Sequence, residues 1–570
     1  MTSVFQLVWD CWENHVKEHP QYEAIVHWDA LGKPFRWTYG NLLEEALKIA
    51  DNLMHQGVKA GDVCALILRH NKYFYPIYMG IAAIGAIPAV LAYPNVRLHP
   101  AKFFHGLSGM AQKSGLDWVM TERELELSIK PLIINEQSTI KGIFFPLEWI
   151  NSQQPKELKY ELINKSRNTI NSSAPFLLQH SSGTTGLQKA VVLSHKAVLE
   201  HIKRYSKAIK LSEEDKIVNW LPLYHDMGLI AAFHIPLALG IPSIQLDPFQ
   251  WVSAPIILFQ AISEEKATLT WLPNFAYNFL ADRVDEEEME GIDLSSMRMF
   301  VNCSEVVRSE SHKKFFNRFQ KYGVKKESLA ACYAMAETTF AVTQTEPGFE
   351  ARMLTVDRNA LARKIVQPPQ YAGLEKICVS SGKPISDCLL KIIDENGVEL
   401  PENRVGKVFI KSISLFDGYR NKPETTSQVL KDGWYSSGDI GFLHNGEYFI
   451  IGRGDDVIIV AGKNIFPEDI EDVVNNVKGV IPGRIVAFGV ENLETGTEDV
   501  AVIAETSCED AIEKNPLELT IKQAGMDIDV TISVVYLVPP RWLIKSSSGK
   551  PSRKANKERI LVNNVDLIKK

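Results

Sequence analysis

The sequence is short of several things that would have named a class of protein outright. Its seven cysteines, at 11, 64, 303, 332, 378, 388 and 508, include no C-x-x-C pair. That excludes the usual spacing of a zinc ribbon or a dithiol redox motif, and an odd, scattered set fits a reducing cytosol. Lys and Arg together number 62 against 69 Asp and Glu, a net charge of −7, so there is no basic excess of the kind a general nucleic-acid binder carries. "MTSVFQLVWDCWENH" has no basic stretch followed by an apolar run, and no secretory leader is expected. Internal repeats and low-complexity tracts are missing too. One charge-free run, Tyr75 to Pro94, matches the ~20 residues a bilayer requires. Pro76, Pro88, Pro94, Gly80 and Gly85 punctuate it, so a buried helix near 72–84, a turn at Gly85 and a strand "IPAVLA" are expected instead.

What is present is an ordinary globular composition, 45% apolar and 23% charged. At 570 residues the chain is too long for one core, because cores stop growing near ~250–300 residues. Apolar runs alternate with helical patterns through the first 450 residues: "DVCALIL", "IPAVLA", "DWVM", "PFLLQ", "IPSIQL" and "ATLTWL". This alternation predicts an α/β fold with mostly parallel strands. The polar stretch 151–174 reads as a surface connection, the acidic run Asp285–Glu290 as a solvated face, and 345–375, with its "QPPQYAG", as an irregular insertion. At "YFIIGRGDDVIIVAGKNIFPEDIE" a strand ends and a new strand and helix begin, which puts a boundary near Asp455. Residues 1–454 and 455–570 are the expected domains, the second a smaller α+β unit with a basic end: nine Lys/Arg against two Asp/Glu from 541 on.

Between the strand patterns "PFLLQHS" and "AVVLSH" lies "SSGTTGLQK", Ser181 to Lys189, with four hydroxyl residues, two glycines and a lysine. Its spacing is not that of a Walker A loop, and a strand rather than a helix follows. Glycines let backbone N–H groups approach a ligand, hydroxyls add donors, and a lysine supplies mobile positive charge; together they suit phosphate. Composition alone would equally serve a tight hairpin turn.

The segment resembles the phosphate loop of the adenylate-forming superfamily, which includes acyl-CoA synthetases, luciferases, peptide-synthetase adenylation domains and fatty acyl-AMP ligases. Gln188 stands where that family has proline and Ala190 where it has its last glycine. Further segments resemble family motifs in order: "FRWTYGNLLEEA" (35–46), "NWLPLYHDMGL" (219–229), "VNCSEVV" (301–307), "CYAMAETT" (332–339), "WYSSGDIG" (434–441), the 448–471 segment and "SSSGKPSRK" (546–554). Cys303, Val306 and Ser437 depart from the family's glycine, proline and threonine.

The resemblance implies a fold: a large multi-sheet N-terminal adenylate-forming domain followed by a small, mobile α+β C-terminal domain. It also implies ATP and Mg²⁺. Ser181, Ser182, Gly183, Thr184, Thr185, Gly186 and Lys189 would hold phosphates, and Glu337 with a loop threonine, Thr184 or Thr185, would hold the metal. Asn302, Ser304, Glu305, Tyr333, Ala334 and Met335 would surround the adenine, with Asp439 and Arg453 at the ribose. Lys550 would enter the cleft from the small domain and bridge the acid's carboxylate and the α-phosphate, the domain turning about Asp455. Trp220, His225, Asp226, Met227, Gly228, Phe275, Ala276 and Phe279 would line the acid's site.

"HD" at 225–226, "WLPNFAYNFL" (271–280) and the 354–384 segment resemble the fatty acyl-AMP ligase branch. That branch activates a fatty acid and passes the acyl group to the phosphopantetheine thiol of an acyl carrier protein, here a separate chain. An ordinary long-chain acyl-CoA synthetase is the first alternative. A non-catalytic binding protein of the same fold is the second. Retention of Lys189, Glu337, Asp439 and Lys550 together speaks against that second alternative.

Overall fold

The computed structural model describes residues 5–29, 32–94, 100–134, 138–150, 160–181, 189–460, 463–492, 497–508, 511–545 and 550–563. The apolar runs become buried strands. "VCALI" forms Val63–Ile67, buried at all five positions, as a parallel strand covered on both faces must be. It pairs in parallel with Ile87–Val90 across the Phe74–Ala83 helix, so the expected β-α-β unit is present. That helix is buried on every side, which is why it is apolar all round. At Gly80 a Cβ would come within 2.8 Å of the Ala46 carbonyl of the neighbouring helix Tyr39–His55, so the close packing of these two helices requires glycine. No helix among the described residues is long and apolar enough to cross a membrane.

These strands belong to a six-stranded sheet running Gly142–Phe144, Trp118–Thr121, Val63–Ile67, Ile87–Val90, Pro175–Ser181, Lys189–Ser194. All its pairings are parallel except the last. A nine-stranded sheet has a parallel centre through Leu329–Ala334, Met299–Asn302, Leu269–Leu272, Ile217–Asn219, Ser243–Leu246 and Glu23–Trp28, with antiparallel strands at both edges. One continuous core, including Tyr75, Tyr78, Tyr205 and Phe233, packs the two sheets together through the helices around them. A five-stranded antiparallel sheet follows and contains Trp434–His444 paired with Glu447–Arg453.

After Asp455 come a small hairpin, the helix Pro467–Asn475, a three-stranded sheet and the helices Ala511–Met526 and Arg553–Asn563. Two apolar clusters there draw only on residues beyond Asp455: one around Ile470, Val502 and Ile521, the other around Phe488, Ile503 and Ile560. A further cluster joins Phe466 to Val356, Phe449 and Ile451.

Two sequence readings need correction. Within 151–174, residues 151–159 lie outside the described residues, but Tyr160–Arg167 is a packed helix rather than surface chain. Ile163 and Arg167, four apart and so on one face, are both buried; the Arg167 guanidinium lies 4.8 Å over Trp9 and donates to the Ala83 carbonyl at 3.0 Å. The 345–375 stretch is not irregular throughout. Met353–Asp357 and Glu375–Val379 form an antiparallel pair, and the Asp357 carboxylate caps the helix Arg358–Ala362 by accepting from the Ala360 N–H at 2.7 Å. The acidic run is exposed as expected, with only Val284 and Met289 beside it turned inward.

Candidate active site

The strands Pro175–Ser181 and Lys189–Ser194 pair antiparallel with Ser181 opposite Lys189, so the glycine–hydroxyl segment joins two adjacent strand ends. Ser182, Gly183, Thr184, Thr185 and Gly186 lie outside the described residues, as does the Ser181 side chain. The free edge of the Lys189 strand is extended by residues 417–420. Asp417 N–H donates to the Val192 carbonyl at 2.9 Å, Val192 N–H to Gly418 at 3.0 Å, and Arg420 N–H to Ala190 at 2.9 Å. This lays Tyr419 beside the start of that strand, with the Lys189 ammonium 4.8 Å from its ring centroid.

The Tyr419 hydroxyl donates to Glu337 Oε1 at 2.8 Å. Glu337 sits in a short 3₁₀ turn at the C-terminal end of the Leu329–Ala334 strand and is buried. Burial pushes its carboxyl above the ordinary carboxylate range, against the pull of Tyr419 and Lys189. An enclosed carboxylate short of positive charge is the chemistry a hard, oxygen-seeking cation satisfies, so Glu337 fits Mg²⁺.

From the same strand the Tyr333 hydroxyl donates to the Asp439 carboxylate. Asp439 lies on Trp434–His444 directly opposite Arg453, whose Nη1 is 3.4 Å from Asp439 Oδ1. Burial raises the Asp439 carboxyl, opposed by Arg453 and Tyr333. Ala334 and Met335, half-buried, continue from Tyr333, and the Met335 N–H donates to Phe340 at 2.9 Å.

The His225–Asp226 segment is tied to the six-stranded sheet by Gln179, whose amide donates to the Tyr224 carbonyl at 2.7 Å. His225 Nδ1 is 2.7 Å from Asp226 Oδ1, and the Met227 N–H donates to the same oxygen at 2.8 Å. Burial of Asp226 opposes its ionisation, but His225, that N–H and Lys550 outweigh burial and hold the carboxyl below its ordinary value. Met227–His234 then forms a π-helix, a wide form that recurs at functional sites.

Lys550 reaches this place from the far end of the chain. Its ammonium donates to the Ser304 carbonyl, and its charge acts on both Asp226 and Asp439. Ser304 has φ +70°, a left-handed conformation that costs a non-glycine residue of order 1 kcal/mol. It thereby ends the Met299–Asn302 strand in a sharp turn with its carbonyl available to Lys550.

Trp220 stacks on Trp251 with centroids 3.6 Å apart, and Phe275 and Phe279 meet this pair at 6.3 and 5.2 Å. Trp220 and Trp251 are buried while Phe275 is 37% exposed, so an aromatic wall runs inward from the surface.

Lys189 and Glu337 meet through Tyr419, Tyr333 and Arg453 meet at Asp439, His225 pairs with Asp226, Lys550 meets Ser304, and the charges of Lys550 and Asp226 act across these groups. Asn302 and Glu305 are otherwise engaged. Asn302 donates to Asn274 at 3.0 Å in a buried network, and Glu305 accepts from the Phe275 N–H at 3.0 Å. Ala276 is fully buried in the core. At Gly228 a Cβ would come within 2.5 Å of the Pro222 carbonyl. Asp455 is exposed in the 3₁₀ turn Gly454–Asp456. Sequence reasoning missed Tyr419, Gln179 and Trp251. Only a Gly-Tyr turn ahead of a proline-started helix marked the first, and a tryptophan in an apolar segment is most often plain core.

The family model described as "AMP-binding enzyme" matches residues 12–420. A putative acyl-CoA synthetase of Caulobacter vibrioides is 29% identical over 520 residues, covering 90% of this chain and 88% of its own. The medium-chain-fatty-acid–[acyl-carrier-protein] ligase JamA of Moorena producens is 28% identical over 546 residues, covering 93% and 90%. A structure from a study of fatty acyl-adenylate ligases of E. coli and L. pneumophila superposes with a TM-score of 0.88 over 99% of both chains, at 23% identity, a likeness of fold. With the family model spanning most of the chain and the same fold running its whole length, the chain belongs to the AMP-binding enzyme family.

Proposed function

We propose that this enzyme is a fatty acyl-AMP ligase. It joins a medium- or long-chain fatty acid to ATP as acyl-AMP, releasing pyrophosphate, and passes the acyl group to the phosphopantetheine thiol of a separate acyl carrier protein, with AMP leaving. The observation that carries the reading is the approach of Lys550 to the Ser304 carbonyl, 246 residues away, where its charge faces Asp226 and Asp439. Two anions, carboxylate and triphosphate, must meet for the acid's oxygen to attack the α-phosphorus while the bond to the β-phosphate oxygen breaks. Charge neutralisation and alignment therefore dominate catalysis.

In this reading Lys189 and the loop from Ser181 to Gly186 hold the departing phosphates. Tyr333, Ala334 and Met335 border the adenine, Asp439 and Arg453 the ribose. Mg²⁺, held by Glu337 and Thr185, would neutralise phosphate charge. The aromatic wall of Trp220, Phe275 and Phe279 takes the acyl chain, and His225 with Asp226 fixes the acid at the mouth of that wall. Residues 455–570 act as a mobile lid turning at Asp455; the two apolar clusters built only from that part support a separate unit. The JamA likeness supports the carrier-protein acceptor, and seven unpaired cysteines, six of them buried, support the cytosol as its place.

The acyl-CoA synthetase reading has one observation behind it, the Caulobacter relative. Incubating the enzyme with fatty acid, ATP, Mg²⁺ and coenzyme A separates the two. Accumulated acyl-adenylate, discharged on adding a phosphopantetheinylated carrier, is expected. Rapid formation of acyl-CoA rejects the carrier-protein acceptor.

A further inference from the structure

The base of the loop that carries Lys550 is closed by backbone contacts. Lys545 and Pro551 form an antiparallel bridge, the Ser552 N–H donates to the Ile544 carbonyl at 3.0 Å, and the fully buried Asn556 bonds both sides of Ile544 at 2.7 and 2.8 Å. That base would still be free to tilt as a body. What fixes it is Arg553, three residues beyond Lys550 and the first residue of the helix Arg553–Asn563.

Its guanidinium forks onto Glu471, Nε to Oε1 at 3.0 Å and Nη2 to Oε2 at 2.7 Å. Nη1 donates to Asp456 Oδ2 at 2.7 Å, and Nη2 lies 3.0 Å from Glu468 Oε1. Glu471 Oε1 also accepts from the Ala487 N–H at 3.1 Å, which locks the acceptor to the three-stranded sheet. All four side chains are a quarter exposed or less, so solvent screens these contacts weakly. Glu468 and Glu471 stand on Pro467–Asn475, whereas Asp456 directly follows Asp455 in the Gly454–Asp456 turn. One cation thus joins the Lys550 loop to the segment at which the chain enters its C-terminal part.

We infer that Arg553 is a positioning residue for adenylate formation: it ties the Lys550 loop to Asp456 and Glu471, so that a turn of the chain at Asp455 carries Lys550 to a fixed point beside Ser304. The inference rests on the role of Lys550 proposed above. A planar fork is required because two oxygens of one carboxylate and a second carboxylate must be met at fixed angles; an ammonium supplies the charge without that geometry. Displacement of a reacting group by ~1 Å costs about 10²-fold in rate. Arg553 touches no described residue that is assigned to nucleotide or acid, so its loss leaves their binding alone.

The test is fatty-acid-dependent ATP–pyrophosphate exchange by full-length R553A, R553K, E471Q and K550A, with melting temperatures taken alongside. For R553A, kcat is expected to fall ~30-fold or more with the KM for ATP within about twofold. R553K should recover part of that loss because it keeps the charge, and E471Q should fall in the same direction by less. K550A should be inactive. R553A exchanging within about twofold of the unmodified enzyme, or losing only melting temperature, overturns the inference while leaving Lys550 in its role. Normal exchange by K550A overturns the Lys550 role itself. Should R553A fail to fold, E471Q at an unchanged melting temperature decides: an unchanged kcat overturns the inference.

Discussion

Glu337 is an anion enclosed by protein with its counter-charge incomplete, and this links stability to activity at one residue. Its carboxyl is raised by burial above the ordinary 4.5 in the folded chain. A carboxyl raised by folding is bound to its proton more tightly in the native state than in the unfolded one. Its contribution therefore favours the native state at low pH and is lost as pH rises from about 4.5 through the raised folded value. At neutral pH without nucleotide or Mg²⁺, ionisation of Glu337 works against the folded state. Glu337→Gln is expected to raise the melting temperature of the unliganded protein at pH 7 and to show less dependence on pH between 4 and 7, while pyrophosphate exchange falls by ~10²-fold or more. Scanning calorimetry across that range checks it; a melting temperature lowered at pH 7 would mean that the Tyr419 bond outweighs burial. At this scale residue type and chemistry made the lysine after a glycine–hydroxyl loop legible, whereas Asp439 and Arg453 entered through the family resemblance and their pairing came only with the fold. The sequence was silent on Tyr419 and Gln179, because their roles come from strand edges brought together from 45 or more residues away.

Secondary-structure elements were legible where burial imposes a pattern. The parallel strands are continuous apolar runs because both faces are covered, so "VCALI" and "LTWL" announce themselves. Met227–His234 could not be read, since "MGLIAAFH" is apolar at nearly every position and carries no stripe from which a turn length could be inferred. Its i→i+5 bonding ends with the Ile235 N–H on the Ile230 carbonyl, and its first turn packs on the 222–228 turn. Gly228 is the critical contact, because a methyl there would meet the Pro222 carbonyl at 2.5 Å and the Leu221 carbonyl at 3.0 Å. Gly228→Ala must push the start of the helix off the turn that holds His225 and Asp226. The expected result is a loss of about 1–3 kcal/mol in stability and a raised KM for fatty acid with the KM for ATP little changed. Chemical denaturation and exchange kinetics at varied acid concentration check it; an unaltered acid KM would show that the π-helix does not set the acid's site.

On the scale of the whole molecule, contacts of two kinds hold the part beyond Asp455 against the rest. Little of the contact is apolar: among the described residues Phe466, with Val457 beside it, is what the C-terminal part adds to the shared cluster around Phe449. Charge is more prominent. Asp469 receives Lys376 at 2.6 Å and lies 3.7 Å from Arg358, both from the 353–379 hairpin, and Asp472 pairs with Arg308 just beyond the Ser304 turn. The Asn464 amide adds a bond to the Ala362 carbonyl at 2.9 Å. The hairpin that composition alone suggested was irregular insertion is therefore a docking element for the helix Pro467–Asn475. Partly exposed ion pairs are each worth about 1 kcal/mol or less and weaken as salt shortens the screening length from about 10 Å at 0.1 M to 3 Å at 1 M. Arg308→Ala combined with Asp469→Ala should thus open the molecule without unfolding either part, because the clusters on each side of Asp455 do not use these residues. Small-angle scattering is expected to show the radius of gyration, about 25 Å for a compact chain of this length, rise by a few ångströms in the double variant. The unmodified protein should show the same rise between 0.1 and 1 M NaCl. Pyrophosphate exchange should fall several-fold in both cases as Lys550 spends less time in the cleft. A radius unchanged by either treatment would assign the closure to Phe466 and its apolar neighbours, and Phe466→Ala, inert in the ionic account, would then be the variant that opens it.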